Sequence, residues 1–194
     1  MGMPAAKMGW YHVVLGTYNS WLPGDPRGFR SHHHKVHSSG DYRQPPPMDE
    51  HNGLRRYWRT VSGAVVVVPP SAMGVVGQAM VTRLARRGLR VVALAVGGSH
   101  AHLLVELPHN RAAQSDLLGQ AKSASSHAIR RVLPGRVWAA GWKLVPVHDR
   151  RQQQQTFPYI VAHAQQGAWV WTWRDGLPGH SGGDPGVSRT QPRA

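Results

Sequence analysis

LRVVALAVGGSHAHLLVEL, residues 89–107, decides the fold. Its first eight residues, apolar apart from Arg90, read as a strand over 89–96. Gly97, Gly98 and Ser99 turn the chain, and residues 100–107 return as the hairpin partner, ended by Pro108. Side chains alternate faces along a strand. Ala101, Leu103, Val105 and Leu107 therefore share one face, which is wholly apolar, while His100, His102, Leu104 and Glu106 share the other.

Working outward, WYHVVLGTYNSW (10–21) is rich in aromatic and β-branched residues and predicts a first strand over 10–18. Residues 22–53 are dominated by Pro, Gly, Ser, His and Arg without periodicity, too long for an idle connection. LRRYWRT at its end reads as a short helix or strand. After the β-branched AVVVV (64–68) and two prolines, a helix is expected from Ser71 to Arg87, stopped by Gly88. A second helix is expected over 112–132, a strand over 143–148 and a last helix over 152–169. The tail from 175 has a disordered composition.

This order is a βαββαβ core, the ferredoxin-like arrangement of the α+β class: an antiparallel sheet, two helices on one face, the other face left for a ligand. The expected organisation is a flexible stretch at 1–8, one domain at 9–174 with an insertion at 22–60, and a tail at 175–194.

The chain of 194 residues has 23 Lys plus Arg against 9 Asp plus Glu, a net charge of +14, which favours a polyanionic partner such as nucleic acid. With no cysteine, disulfides, thiolate metal sites and cysteine nucleophiles are excluded. No stretch is long and apolar enough to suggest a membrane span, and the first residues make a poor signal peptide, so a cytoplasmic protein is expected.

His100 and His102 stand about 6–7 Å apart by the rise of a strand, and neutral imidazoles at that spacing can converge on one divalent ion. In the last expected helix, Tyr159 and His163 are four residues apart and share a face, bringing a phenol beside a metal-capable imidazole. Spacing alone equally allows two half-exposed strand histidines, a core tyrosine and a surface histidine. Glu106 is a candidate acceptor for an imidazole N–H, or a solvated residue near the strand end.

HAHLLVE and YIVAH together resemble the HUH single-tyrosine transposases, which include insertion-sequence enzymes and REP-associated tyrosine transposases. The opening YHVVLGTYNSWLPGDPRGFR, the piece VHSSGDY and the closing GAWVW are similar to one branch of that family, so the resemblance spans about residues 10–173. Two positions depart from the pattern. Ala101 stands where a bulkier hydrophobic residue is usual, and His163 stands where several relatives carry Gln or Asn.

The resemblance implies that Tyr159 attacks single-stranded or hairpin DNA to leave a 5′-phosphotyrosine link and a free 3′-hydroxyl. It implies a divalent metal, Mg²⁺ or Mn²⁺, held by His100, His102 and His163, and a monomer or homodimer as the working unit. Lys122 and Arg130 on the second helix, and Arg27, Arg30 and Lys35 in the insertion, are candidate DNA contacts. Trp21, Trp169, Trp171 and Trp173 are candidates for base stacking, although the alternation in WVWTW also suits a final strand. A non-catalytic DNA-binding relative, and a phosphoester hydrolase that uses the H-x-H pair without a covalent tyrosine, are the alternatives.

Overall fold

The computed structural model describes residues 7–25, 37–39 and 46–177. Arg27, Arg30 and Lys35 lie outside the described residues. The elements are β1 (Met8–Gly16), α1 (Asn52–Ser62), α2 (Pro70–Arg86), β2 (Val91–Val96), β3 (His100–Pro108), α3 (Arg111–Ala128), β4 (Lys143–Val147), α4 (Arg150–Val161) and β5 (Trp169–Thr172). They form a five-stranded antiparallel sheet in the order β4-β1-β3-β2-β5. The first four positions are the expected ferredoxin-like core, with β5 added at the β2 edge.

The parity of 100–107 is realised as expected. Ala101, Leu103, Val105 and Leu107 are fully buried, in one cluster with Val76, Met80 and Leu84 of α2 and Leu117 and Leu118 of α3. Burying one such side chain contributes roughly 1.5–3 kcal/mol, so this face dominates stability. On the other face Leu104, Ala93 and Ala95 pack with Ile160 and Phe157 of α4. The helix pair thus lies on one side of the sheet and α4 on the other, the side of the histidines.

Local chemistry sets the helix ends. Pro70 occupies the first turn of α2, where its missing N–H costs nothing. Asn110 and Asp149 cap α3 and α4, accepting from the backbone N–H groups of Ala113 and Gln152 at 2.9 and 2.7 Å. α3 ends at Ala128 rather than 132, because the chain bends at Ile129 to bury that side chain.

The largest correction concerns the last helix. Instead of running to 169 it ends at Val161, tightens into a 3₁₀ turn at Ala162–Gln166 and stops at Gly167, whose φ is 78°. Pro158 has already removed one backbone donor from the helix. The tryptophan alternation then forms β5 against β2. Trp171 is buried and donates to the Gly176 carbonyl at 2.8 Å, and Trp169 lies on Gly74 and Gly77 of α2. Both are packing residues rather than stacking platforms, whereas Trp21 and Trp173 are exposed.

AVVVV forms no strand. It is a strap whose Val66 and Val68 N–H groups donate to Tyr18 and Gly98 carbonyls. α1 buries no residue.

Candidate metal centre and tyrosine

β3 carries His100 and His102 at its start, and the 3₁₀ turn after α4 carries His163. Ligand-capable atoms of these three residues all lie within 4.8 Å of one another. His102 and His163 are buried, at 6% and 8% exposure, and His100 is half-buried. The rings of His102 and His163 are 4.3 Å apart between centroids, and those of His100 and His102 are 4.8 Å apart.

Hydrogen bonds select the nitrogens left for a ligand. His163 Nδ1 donates to the Tyr159 carbonyl at 3.0 Å, which leaves Nε2 with its lone pair. His102 Nδ1 lies 2.9 Å from His12 Nε2, and His100 Nδ1 lies 3.1 Å from Ser99 Oγ. Burial above all, then the neighbouring His163, His100 and His12, push His102 down to about 3. It is therefore a neutral, ligand-competent imidazole at ordinary pH. No carboxylate joins this cluster among the described residues. Three imidazole donors and no carboxylate suit a divalent cation whose full charge is left to act on an incoming anion.

Tyr159 closes the site. Its ring centroid is 5.0 Å from that of His163, 5.7 Å from His102 and 5.6 Å from His12. The residue is 53% exposed, so its phenol is reachable from solvent. The last turn of α4 supplies the tyrosine and the 3₁₀ turn supplies the imidazole. All four residues meet within one chain.

His12 escaped the sequence reading. It faces Leu104 across β1 and β3, and Val14 faces His102, so His12 and His102 are diagonal neighbours on one face. The signal was present as parity: Trp10, His12 and Val14 share a face opposite the apolar Tyr11, Val13 and Leu15. Recognising it required the pairing partner of β1. Burial, then Lys143 and His163, holds the His12 pKa below its ordinary value.

Three other expected residues lie elsewhere. Glu106 accepts two bonds from Arg90, at 2.5 and 2.6 Å, and this partner holds its carboxyl below the usual range. It is four residues from His102, about 13 Å along the strand, so His12 rather than Glu106 meets a ring nitrogen of His102. Lys122 turns inward and donates to the carbonyls of Ala139, Ala140 and Gly141 at 2.8, 3.2 and 2.9 Å. Burial, then Arg136, pushes its pKa down to about 8. It braces a loop and is not presented to a phosphate backbone. Arg130 is exposed just beyond α3, beside His127 and in the layer across the sheet from α4.

No helix among the described residues is long and apolar enough to cross a membrane. No protein-family model matches this chain, and no curated protein does. Among solved structures, a REP-associated tyrosine transposase bound to a REP hairpin aligns over 100% of this chain and 98% of its own, at 14% identity and a TM-score of 0.48. A protein from Deinococcus radiodurans R1, assigned as a transposase, aligns over 82% of this chain and 96% of its own, at 17% identity and a TM-score of 0.36. With likenesses this distant, the functional reading rests on the site's own residues.

Proposed function

We propose that this chain is a metal-dependent DNA strand transferase that cleaves and rejoins single-stranded or hairpin DNA through Tyr159. One observation carries the reading: an exposed phenol packed against two of three convergent imidazoles in a strongly basic chain.

His100, His102 and His163 would hold Mg²⁺ or Mn²⁺. Such an ion supplies Lewis acidity to the scissile phosphate and offsets charge in the transition state. The Tyr159 oxygen attacks phosphorus, its proton passing to water. The bond from phosphorus to the 3′-oxygen breaks, and that oxygen takes a proton to become a 3′-hydroxyl. The phosphodiester is conserved as a 5′-phosphotyrosine, so a second 3′-hydroxyl can reverse the step without an external energy source. The site is complete within one chain, which supports attack in cis. Arg130, with Arg27, Arg30 and Lys35, supplies positive charge that favours the polyanion.

The test is to incubate the chain and Tyr159→Phe with end-labelled hairpin oligonucleotides and Mn²⁺. A labelled protein–DNA adduct that is lost in Tyr159→Phe is the expected outcome. Cleavage that survives Tyr159→Phe would replace the reading with a hydrolase. Binding without cleavage by the wild type would replace it with a DNA-binding protein.

A further inference from the structure

Beside the histidine cluster lies a cavity of about 520 Å³, bordered by His100 and His102 together with Trp21, Trp142, Val14 and Lys143. Its volume falls within the roughly 300–1,000 Å³ typical of small-ligand clefts. Two indoles and a valine make its wall largely apolar. Trp142 is fixed by cations, with Lys122 and Arg111 each 5.5 Å from its ring. Trp21, 57% exposed, also borders the cavity. Lys143 is exposed and stands across from Val14 of β1. Aromatic walls, a cation and a shared border with metal-capable imidazoles suit a nucleoside joined to a phosphate.

The cavity also has a direction. Tyr159 and His163 are not among its lining residues. The phenol packs on His163, His12 and His102, while the cavity is bordered by His100 and His102, so the two share His102 and otherwise meet the cluster over different imidazoles. In an in-line displacement the leaving oxygen departs opposite the nucleophile. Here the leaving oxygen is the 3′-oxygen of the nucleotide preceding the scissile phosphate.

We infer that this cavity binds the deoxynucleotide whose 3′-oxygen departs, its base stacked on Trp21 and Trp142 and its 3′-phosphate directed at the histidine cluster. The direction rests on the transferase reading; the presence of a nucleotide site does not. Stacking on an indole tolerates any base, so this subsite fixes the geometry of the departing end more than its sequence.

The test uses thymidine 3′-monophosphate and thymidine 5′-monophosphate, which differ only in which oxygen carries the phosphate and contain no phosphodiester to cleave. Their composition and charge are the same, so non-specific attraction cancels. Binding to the full chain is titrated in Mn²⁺ by isothermal calorimetry, with no cleavage step involved. The 3′-phosphate isomer should bind at least about fivefold more tightly, and Trp21→Ala should abolish that preference. Circular dichroism checks that Trp21→Ala retains the fold, and Tyr159→Phe should keep the preference. Equal affinity for the two isomers, or a preference unchanged in Trp21→Ala, overturns the inference even if the tyrosine adduct forms. A preference without any adduct leaves the nucleotide site standing and removes only the transferase.

Discussion

His12 Nε2 lies 2.9 Å from His102 Nδ1, with the two rings stacked at 5.2 Å and tilted by 27°. A neutral His102 that offers Nε2 to a cation carries its proton on Nδ1. It therefore donates to His12, which fixes both tautomer and ring angle. Replacing His12 by Phe keeps the stacking and deletes the acceptor. Mn²⁺ affinity should fall about 10- to 100-fold, the usual cost of losing such a partner. Calorimetric titration checks this, with circular dichroism to show that the fold is retained. Unchanged affinity would mean that His12 orients nothing.

The route to this site was legible in part. H-A-H on a strand with a clean apolar opposite face, and tyrosine four residues before histidine, are local periodicities that survive folding. His12 depends on which strand pairs with which. Lys122 depends on a loop 17 residues further along supplying carbonyls. Neither fact is local, so neither is written in spacing. The last helix was overextended for a related reason. Pro158 removes a donor from its last turn and Gly167 stops the 3₁₀ turn that follows, but pairing with the edge of β2 decides that WVWT becomes a strand.

Acid should destabilise the cation-free protein through His102. Unfolded, its imidazole titrates near 6.5; folded, burial and its histidine neighbours hold it at about 3. Between those values the unfolded chain binds the extra proton, so stability falls as pH drops through the window. The limiting slope is about 1.4 kcal/mol per pH unit. His12 is shifted in the same direction and adds to it. Urea midpoints measured in chelator between about pH 7.5 and pH 5 should decline less steeply in His102→Gln. An identical decline in the two proteins would count against the buried neutral imidazole.

Two glycine substitutions should have opposite signs. A Cβ on Gly77 would come 2.0 Å from Cζ3 of Trp169, so Gly77→Ala must displace that indole and with it β5. Overpacking of this kind costs about 1–3 kcal/mol. Gly119 in α3 has nothing within 4 Å of an added Cβ, so Gly119→Ala gains helix propensity, about 0.5–1 kcal/mol. Denaturant unfolding separates them, and Gly77→Ala should also red-shift the tryptophan emission. If Gly77→Ala proved neutral, the packing of Trp169 on α2 would be wrong.

Lys122 links the helix layer to the cavity wall. Its ammonium ties down the carbonyls of Ala139, Ala140 and Gly141, and Ala139 and Gly141 border the same cavity as His100. Lys122→Met keeps most of the aliphatic stem but leaves these carbonyls without their donor, at a cost of about 1–3 kcal/mol in stability. The larger consequence should be selective. The 139–142 wall loosens, so thymidine 3′-monophosphate binds up to about tenfold more weakly. Mn²⁺ affinity holds, because His100, His102 and His163 sit on β3 and beyond α4, not on this loop. A Lys122 that contacted phosphates directly would behave differently. Lys122→Met would then weaken both phosphate isomers equally and flatten the salt dependence of binding, and the inward geometry would be refuted.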